Sequence, residues 1–404
     1  MNYDVVIVGA GPAGSTTAKI VAERGLKVLV LEKYTLDREK PCAGSITNRV
    51  VEHFRIPKKA IARRCTGVFL CSPKNMTVVI GKHGKMKLVM RSVFDNVLCQ
   101  MAIDKGAVFL EKSLVKKPVT KNGKIIGVQT KIKGKTKTIK AKLIIGADGT
   151  PSVIAKKLEL YSGRPNTIAF CFQYQMELSN ELIEQRIGSK IETYFGSQWI
   201  PFGYTWIFPK NNLVSVGCGT WIDIIQLRKI NLKKNLDHFI KKHPIASLKL
   251  KGAKVIHSQA HLIGFPGVLK DNVAEGCLIV GDASGTVSLV NAEGIWYSMN
   301  SGEAAGISAV EMLEKGDISA NTIRMKYYQN LDQKVKDDLR LAARIRNLSN
   351  SDAKQQLTVV SIIKDQWWAN LFETLIDGTS PYKKVLSRIR SRPDKLLKAL
   401  TLYR

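Results

Sequence analysis

The chain has 404 residues, 45% of them hydrophobic, so it is long enough for two or three packed lobes and has the composition of a globular protein. No apolar run reaches the ~18 residues that a membrane-spanning helix needs. The seven scattered cysteines form no C-x-x-C pair and favour a reducing, cytoplasmic compartment over a disulfide framework. The net charge of +30 favours an anionic partner (a nucleic acid, an anionic membrane surface or an acidic substrate), unless it reflects only a lysine bias on solvated faces. Because no nucleic-acid-binding module is visible, we expect no nucleic acid among the partners.

The first 32 residues predict a β-α-β unit that binds a dinucleotide. Met1-Asn2 leads straight into an apolar strand, Tyr3–Val8, so we expect no signal peptide. The sequence GAGPAG at 9–14 follows and matches G-x-G-x-x-G. A helix over 15–24 and a second apolar strand that ends at Glu32 complete the unit.

Each part of this unit has a physical role. Gly9 permits the tight turn, Gly11 lets the backbone approach a pyrophosphate, and Gly14 lets the helix pack closely on the strand. The free N–H groups at the helix N-terminus attract phosphates. Glu32 can accept hydrogen bonds from a ribose hydroxyl.

Residues 38–158 predict a loop, short strands and a lysine-rich meander. Pro and Gly indicate a loop over 38–45. The elements that follow are a helix over 47–54, strands over 68–70, 76–80 and 87–90, a helix from 91 to about 102, a strand over 107–110, a β-meander over 114–145 and a helix over 152–158. The lysines of the meander alternate with Ile, Val and Thr, which indicates a solvated face and not a binding patch.

From residue 168 onward, aromatic-rich strands predict a second, mostly antiparallel lobe. Its strands cover 169–176, 190–195, 204–209 and 213–220, with a helix over 230–243. A buried strand over 278–280, a helix over 295–313 and further helices with breaks near 347–351, 377–381 and 392–393 complete the chain. We therefore expect a discontinuous nucleotide-binding domain (1–165 and 255–315), a substrate-binding lobe (166–254) and a helical C-terminal region (316–404).

Three predicted strands end in turns of glycine and acid: GAGPAG at 9–14, GADG at 146–149 and Gly281-Asp282. A parallel sheet places such turns on one edge, where ligands bind. Since no second G-x-G-x-x-G is present, one extended dinucleotide explains the turns better than two cofactors. FAD fits, with its pyrophosphate at the first turn, a ribose at Glu32 and the flavin near Asp282. The helix that follows Gly294 can direct its N-terminal N–H groups at the flavin and stabilise its reduced form.

These motifs and several others make the chain resemble the geranylgeranyl reductase family of FAD enzymes. The further motifs are Lys33 after Glu32, KPCAG at 40–44, Arg91 with Phe94-Asp95, GDASG at 281–285, AEGI at 292–295 and Ser301-Gly302. The sequence YTWIFP at 204–209, followed by GCG at 217–219, is similar to the Y-x-W-x-F-P and G-x-G stretch of the archaeal branch. Where the family usually has a proline after GDASG, this chain reads TVSLV at 286–290. The resemblance covers about residues 1–310.

The resemblance implies an α/β fold: a Rossmann-type FAD-binding domain like that of p-hydroxybenzoate hydroxylase, an antiparallel-sheet substrate lobe and a helical C-terminal region. The cofactor-binding candidates are Gly9, Gly11, Ala13, Gly14, Glu32, Lys33, Cys42, Ala43, Gly44, Arg91, Val115, Asp148, Gly149, Asp282, Gly285, Gly294 and Ile295. The substrate-binding candidates are Tyr204, Trp206, Phe208, Pro209, Gly217 and Gly219, to which Trp199 and Phe202 could add further apolar wall.

The activity that the resemblance implies is reduction of C=C bonds in geranylgeranyl chains, such as those of archaeal ether-lipid precursors. It requires hydride from the reduced flavin, a proton, and an electron donor that is ferredoxin-like or NAD(P)H. Two alternatives stay open, a flavin-dependent hydroxylase or halogenase on the same scaffold, and a non-catalytic prenyl-binding flavoprotein.

Several residues have two interpretations. Cys42, the catalytic candidate, relays a proton or positions the alkene, or it is a small loop residue that packs against the cofactor. Arg91 bonds the flavin phosphates or ribityl chain, or it lies on the surface. The aromatic residues line a tunnel or belong to the core of the lobe. His257 and His261 are four residues apart without a third ligand, so we expect no metal.

The C-terminal tail also has two interpretations. Trp367-Trp368 begins an apolar helical face, and basic residues alternate with apolar ones from Lys383 to Lys398. This pattern suits peripheral binding to an anionic membrane surface on its cytoplasmic side. It also suits a helix that packs on its own domain with a solvated basic face.

Overall fold

The computed structural model describes residues 3–81, 86–160, 167–265, 271–289, 292–348, 360–376, 378, 380–395 and 397, with the backbone alone for 342–348. Lys398, residue 290 and the predicted break at 349–351 lie outside these ranges. The chain forms two compact units. The first contains Met1–Glu39, Arg91–Thr167 and Ile263–Ala343, and the second contains Lys40–Met90, Ile168–Leu262 and Arg344–Arg404.

The predicted helices and strands are present in the predicted order, and the structure adds elements that were not predicted, the longest being the strand Lys254–Gly264. The strands are β1 (Tyr3–Val8), β2 (Val28–Leu31), β3 (Ser45–Thr47), β4 (Arg63–Cys65), β5 (Gly67–Cys71), β6 (Thr77–Ile80), β7 (Met86–Leu88), β8 (Val108–Leu110), β9 (Ser113–Lys121), β10 (Lys124–Ile132), β11 (Lys135–Gly146), β12 (Ile168–Glu177), β13 (Lys190–Tyr194), β14 (Tyr204–Pro209), β15 (Leu213–Trp221), β16 (Lys254–Gly264), β17 (Val273–Ala274) and β18 (Cys277–Ile279). The α-helices are α1 (Pro12–Glu23), α2 (Asn48–His53), α3 (Arg91–Ile103), α4 (Val153–Lys157), α5 (Asn180–Arg186), α6 (Ile222–Arg228), α7 (Leu232–Lys242), α8 (Ala246–Lys249), α9 (Ile295–Lys315), α10 (Ala320–Asn330), α11 (Gln333–Leu348), α12 (Gln366–Ile376) and α13 (Tyr382–Arg390).

The first unit is built on a parallel sheet with the strand order β18-β11-β1-β2-β8, and β17 pairs antiparallel with β18 at one edge. β1 lies between β11 and β2, with Val8 opposite both Gly146 and Leu31. The inner strands are buried on both faces, which explains their continuous runs of Val, Ile and Leu. The predicted α/β, Rossmann-type fold of this unit is confirmed.

Helices α1 and α9 pack against each other closely enough to require glycine on α9. A Cβ on Gly302 would lie 2.3 Å from the carbonyl oxygen of Ala13, and one on Gly306 would lie 2.8 Å from Cβ of Ile20. The hydroxyl of Thr17 donates to the carbonyl of Gly302 at 2.9 Å. The two helices therefore touch backbone to backbone, and this contact fixes the start of α1.

The predicted lysine-rich meander corresponds to β9, β10 and β11. β10 pairs antiparallel with both neighbours, and its turn to β9 lies at Asn122-Gly123, where both residues have positive φ. Its lysine side chains are exposed. They form a solvated face, as the alternation predicts.

The second unit contains a seven-stranded sheet with the order β16-β12-β15-β14-β13-β5-β6. Its pairs β12–β15, β15–β14, β14–β13 and β5–β6 are antiparallel, whereas β13 and β5 run parallel with Lys190 opposite Gly67. The units that result from this pairing have different boundaries from the domains expected from the sequence. Because β5 and β6 extend the second sheet, residues 40–90 belong to the second unit and not to the nucleotide-binding unit.

Two apolar clusters lie in the second unit. One contains Leu236 and Phe239 of α7 together with Tyr194 and Ile207 of the sheet. The other contains Trp206 and Phe208 of β14 together with Ile363, Ala369 and Phe372 of the C-terminal region. We call this second set the aromatic cluster. Helix α12 thus provides apolar side chains to the same cluster as β14 (Tyr204–Pro209), which we call the aromatic strand.

Helix α13 has an apolar side and a basic side. Tyr382 and Val385 are buried, whereas Lys383, Lys384 and Arg388 are exposed. This arrangement agrees with a helix that packs on its own unit and leaves its basic residues in water. Among the helices in the described ranges, none has the length and apolar character required to cross a bilayer.

Candidate active site

In the first unit, the three predicted turns lie side by side at one edge of the sheet. They follow β1, β11 and β18, which are neighbours, with Gly146 opposite Val8 on one side and Ile279 on the other. Two glycines of the first turn are required by the protein's own packing. A Cβ on Gly9, whose φ is +102°, would lie 2.4 Å from the carbonyl oxygen of Ala147. A Cβ on Gly14 would lie 2.0 Å from the carbonyl oxygen of Gly9.

Gly11 differs from its two neighbours because the space beside it is open. The nearest atom to a Cβ built there is a terminal guanidinium nitrogen of Arg38, 3.9 Å away. Nothing in the protein therefore demands glycine at this position. The first turn of α1 begins at Pro12, and its N–H groups have no partners within the helix. Open space in front of donor groups and a positive helix end is what a pyrophosphate requires, so the turn fits FAD.

Glu32 is held rigidly at the end of β2. It is only 3% exposed, and its carboxylate accepts hydrogen bonds from the backbone N–H groups of Ala10 at 2.9 Å and Tyr34 at 3.0 Å. These two bonds fix the carboxylate next to the glycine turn, where it still has lone pairs for a ribose hydroxyl. Lys33, by contrast, is exposed, with its ammonium 5.0 Å from the ring centroid of Tyr34.

Arg91 is buried, so the interpretation of a surface arginine is wrong. Its Nε and Nη2 donate to the two carboxylate oxygens of Asp95, each at 2.8 Å. Arg38 donates to the same carboxylate at 2.9 Å, and its Nε lies 3.7 Å from Glu32. Burial alone would raise the pKa of Asp95, but the two guanidinium groups outweigh it and lower that pKa to about 2.

Arg38 is a candidate that the sequence did not single out. It connects Asp95 to Glu32 and lies beside the open space at Gly11. An arginine in an irregular loop carries no periodic signal, and only its position between Glu32 and the KPCAG motif distinguishes it.

The side chain of Asp148 makes hydrogen bonds at the start of helix α4. Its carboxylate accepts from the Ser152 hydroxyl and the Val153 N–H, both at 2.6 Å, and its burial raises its pKa. Gly149 has a φ of +72° and no atom within 4 Å of the position of a Cβ. The part of this turn that is left for a ligand is therefore the backbone at Gly149. The side chain of Val115 is likewise buried, in the apolar core of the unit.

The third turn places a carboxylate at the start of α9. Asp282 accepts a hydrogen bond from the Ser298 hydroxyl at 3.0 Å, and Gly285 has a φ of +74°. Gly294 caps α9, and Ile295 is its first residue. In the described part of the chain, the hydroxyl of Thr286 is buried and has no hydrogen-bond partner. A buried orphan donor is unfavourable in a protein alone, so a polar ligand atom at this turn would satisfy it.

In the second unit, Cys42 lies in a tight turn with Ala43 and Gly44. The half-buried Cys42 sulfur accepts a hydrogen bond from the Gly44 N–H at 3.3 Å. Gly44 has a φ of +75°, and a Cβ there would lie 2.2 Å from the carbonyl oxygen of Val89. The amine of Lys210 donates to the Ala43 carbonyl at 2.6 Å. We call residues 42–44 the thiol turn.

The aromatic strand and the glycines opposite it form one structural feature. In the β14–β15 pair, Trp206 lies opposite Gly217 and Tyr204 lies opposite Gly219. A Cβ on Gly217 would lie 2.3 Å from Cζ2 of Trp206, and one on Gly219 would lie 2.5 Å from the sulfur of Cys171. The G-x-G stretch is therefore needed because a ring and a thiol occupy the space of the missing side chains.

The thiol turn and the aromatic strand belong to the same cluster. Ala43 of the turn, Cys171 and Tyr204 pack against the buried cluster that contains Trp206 and Phe208. The pKa values of Tyr204 and Cys171 are raised, mainly by burial and in part by the nearby Cys42, and that of Cys171 reaches about 12. The structure thus brings the catalytic candidate together with the substrate-binding candidates Tyr204, Trp206 and Phe208, and Pro209 ends their strand.

Trp199 lies apart from the aromatic cluster. Its ring packs against Phe239 and His243 in the other apolar cluster of the unit, because it follows β13 on the side of the sheet that α7 covers. Trp199 is therefore a core residue and not part of the aromatic cluster.

Lys210 is a second candidate that the sequence did not reveal. It follows Pro209 directly and is only 1% exposed. Burial lowers the pKa of its amine to about 7, an effect partly offset by the Cys42 and Cys65 sulfurs. The feature of the sequence that could have pointed to Lys210 is its position directly after the YTWIFP motif. A lysine at the end of a strand is normally exposed, so its burial was not expected.

The described residues contain no group of three or more His, Cys, Asp or Glu side chains placed to bind a metal ion. His257 and His261 lie on the same strand, β16.

Comparison with known families and proteins identifies similar sequences along most of the chain. The FAD binding domain family matches residues 2–172, and the geranylgeranyl reductase catalytic domain family matches residues 167–261. The chloroplastic geranylgeranyl diphosphate reductase of Nicotiana tabacum is 31% identical over 349 residues, which cover 82% of this chain and 71% of that protein. The digeranylgeranylglycerophospholipid reductase of Methanocaldococcus jannaschii is 29% identical over 401 residues, which cover 98% of this chain and 97% of that protein.

Solved structures show the same fold. A geranylgeranyl bacteriochlorophyll reductase-like protein from Thermoplasma acidophilum superposes with a TM-score of 0.82 and 25% identity over 96% of this chain and 99% of that chain. The flavin-dependent brominase Bmp2 superposes with a TM-score of 0.74 over 98% of this chain and 100% of that chain, but at 18% identity it shares the fold alone.

Proposed function

This chain belongs to the geranylgeranyl reductase family of FAD-dependent oxidoreductases, and from that premise we propose that it saturates C=C bonds in the geranylgeranyl chains of membrane ether-lipid precursors. The observation that carries the proposal is the packing of Ala43, the residue next to Cys42, in the same apolar cluster as the aromatic strand. An alkene has no charge to bind, so a prenyl chain must be held by apolar contact area. The similarity to a digeranylgeranylglycerophospholipid reductase over 98% of this chain supports this substrate class.

Residues of the first unit would hold the cofactor. Gly11 and the first turn of α1 fit the pyrophosphate, Glu32 fits a ribose, and Asp282 with the N-terminus of α9 fits the flavin end. When bound and reduced, FAD supplies the hydride for one alkene carbon. Arg91 and Arg38 hold the ionised Asp95 in place, so a network of fixed charge lies beside the pyrophosphate position.

Residues of the second unit would hold the prenyl chain and provide the proton. The rings of Tyr204, Trp206 and Phe208 provide the apolar wall. We assign a role in this proton transfer to Cys42, whose thiol gives a proton to the other alkene carbon or positions the alkene. Burial raises the pKa of Tyr204, so its phenol keeps its proton at neutral pH and is not a base there.

Anaerobic incubation with dithionite tests this function. Full-length protein loaded with FAD is mixed with a digeranylgeranylglycerophospholipid, and the products are analysed by mass spectrometry. We expect two hydrogens to be gained per reduced bond, and heat-treated protein is the control. Unchanged lipid would refute the proposal, and oxygen or halide incorporation in an aerobic parallel would favour a hydroxylase or halogenase instead. Replacing dithionite with NADPH or with a reduced ferredoxin then identifies the donor.

We also propose that the protein binds anionic membrane surfaces peripherally, because such a substrate resides in a bilayer. The support is the exposed basic side of α13, which includes Lys383, Lys384 and Arg388, together with the net charge of +30. Each basic residue near an anionic surface contributes roughly 1 kcal/mol. Since Tyr382 and Val385 are buried, the attraction is electrostatic and these two side chains do not insert. Co-sedimentation with anionic and neutral vesicles tests this, and equal binding to both would refute it.

A further inference from the structure

Lys210 occupies a fixed position at the end of the aromatic strand. Its backbone N–H donates to the carbonyl of Leu213 at 2.6 Å, and its own carbonyl accepts from Nε of Arg63 at 3.2 Å. Both bonds hold the main chain of Lys210, so the position from which its side chain extends is fixed. From there it extends into the second unit and is almost completely shielded from water.

The amine of Lys210 ends at the thiol turn. Nζ donates to the Ala43 carbonyl at 2.6 Å, and a Cβ on Gly44 would lie 3.1 Å from Nζ. On its other side, Nζ lies 5.9 Å from the ring centroid of Phe208. The side chain therefore connects the turn that carries Cys42 with the strand that carries the aromatic rings.

If the Lys210 side chain only filled space, burial of its amine would lower the stability of the folded protein without any benefit. Removing an amine from water is costly unless it is bonded, and a methionine of similar length would fill the same space without that cost. The retained amine makes one directed contact, at the residue adjacent to Cys42. That contact is polar and specific, whereas its surroundings, Phe208 and Ala43, are apolar.

We propose that Lys210 is a positioning residue of the reductive site, which fixes the Cys42 thiol through the carbonyl of Ala43. The inference rests on the proposed function, because it takes Cys42 as the residue that acts on the alkene. Lys210 acts through the thiol turn. Removal of its amine leaves the Cys42 thiol chemically intact but removes the hydrogen bond that holds the turn in position.

The charge on Lys210 makes this positioning depend on pH. The groups that face the amine are the sulfur of Cys42 in the thiol turn and that of Cys65 in β4, while Arg63 contacts only the main chain of Lys210. A hydrogen bond from a charged donor is roughly twice as strong as one from a neutral donor. Since the pKa of the amine is about 7, the turn is held more firmly below this pH than above it. We expect turnover to fall as the pH rises through about 7.

Three variants test the inference, each as the full-length, FAD-loaded protein. Lys210→Met removes the amine, Lys210→Arg keeps a charge that does not titrate, and Lys242→Met is a control at an exposed lysine of the same unit. The turnover of prenyl reduction is measured from pH 5.5 to 9. We expect the wild type and the control to show the ionisation near 7, Lys210→Met to lose it with about tenfold lower turnover at pH 6, and Lys210→Arg to lose it while keeping more activity.

A second readout does not depend on reductase activity. Alkylation of Cys42 by iodoacetamide is followed by peptide mass spectrometry, and the rate is divided by that of the exposed-lysine control Lys242→Met to give an alkylation ratio. We expect this ratio to be close to one in the wild type and about three or more in Lys210→Met, because the turn is no longer held.

The outcomes separate the two proposals. A wild type that reduces no prenyl chain refutes the proposed function, and the alkylation ratio alone then decides whether Lys210 holds the turn. A Lys210→Met protein with wild-type pH dependence and a wild-type alkylation ratio overturns the inference. If Lys210→Met does not fold, Lys210→Arg decides, since retention of the ionisation near pH 7 in that variant would contradict the role of Lys210.

Discussion

Replacing Lys210 by methionine should stabilise the protein at neutral and acidic pH, although it removes a hydrogen bond. The ordinary pKa of a lysine is 10.5, and burial lowers that of Lys210 to about 7. The unfolded chain therefore binds more protons at this residue than the folded chain between pH 7 and 10.5. In this window the free energy of unfolding of the wild type rises with pH through Lys210, and below pH 7 the wild type bears the whole cost of its buried charge.

The size of the effect follows from the difference between the two pKa values. A difference of one pKa unit corresponds to roughly 1.4 kcal/mol, so the full cost below pH 7 is roughly 5 kcal/mol. Loss of the bond to Ala43 leaves a buried carbonyl unpaired, which costs about 1–3 kcal/mol. We therefore expect Lys210→Met to be more stable than the wild type by about 2–4 kcal/mol at pH 6. This advantage should shrink by roughly 2.3 kcal/mol between pH 7 and 9, because the folded amine is still half protonated at pH 7.

Urea unfolding followed by tryptophan fluorescence measures this difference. Five of the six tryptophans belong to the unit that contains Lys210, so the signal reports mainly on that unit. Urea is uncharged and leaves the electrostatics intact. The control Lys242→Met should differ from the wild type by less than about 0.5 kcal/mol at every pH. A stability difference between Lys210→Met and the wild type that does not change from pH 7 to 9 would refute the reasoning, because it would mean that the folded protein does not depress the pKa of this amine.

Three further substitutions and one charge reversal have expected outcomes. Gly11→Val should abolish FAD binding and leave the melting temperature of the apoprotein unchanged, since the space at Gly11 is open; an FAD absorbance equal to that of the wild type would contradict the site. Cys42→Ala should retain FAD and lose or alter prenyl reduction, and unchanged turnover with the same products would make Cys42 a packing residue. Gly217→Ala should destabilise the protein by about 1–3 kcal/mol in urea unfolding, because its methyl group would displace the Trp206 ring, and wild-type stability would show that the ring can move freely. Lys383→Glu with Lys384→Glu should weaken binding to anionic vesicles several-fold at low salt, whereas undiminished co-sedimentation would show that α13 does not face the membrane.

The sequence predicted the nucleotide-binding edge because the signals there are local. Three of the strands, β1, β11 and β18, end in apolar runs that lead into glycine turns, so a shared edge could be predicted from local sequence. The order β18-β11-β1-β2 comes from the structure alone. The glycine pattern 217–219 was also visible, but its reason was not. Only the pairing of β14 with β15 shows that Trp206 occupies the space beside Gly217.

The domain boundaries and the burial of three site residues could not be read from the local sequence pattern. β5 joins the second sheet through β13, more than a hundred residues later, so residues 40–90 could not be assigned from local pattern. Arg91 is buried because Asp95, four residues on, neutralises it, and an R-x-x-x-D pair on a helix can also be a surface ion pair. Arg38 and Lys210 are polar residues at irregular positions, whose burial follows from what packs over them.

The contact between α1 and α9 affects the order in which the chain can fold during synthesis. Thr17 and Gly302 are 285 residues apart, so at ~5–20 residues per second roughly 15–60 s separate the emergence of these two helices from the ribosome. Throughout that interval the side of α1 that receives Gly302 and Gly306 has no partner. Strands β12 to β15 are close in sequence, by contrast, and can pair with one another as soon as residue 221 has emerged. The unit that begins the chain therefore closes its core only after the central strands of the other unit are available for pairing.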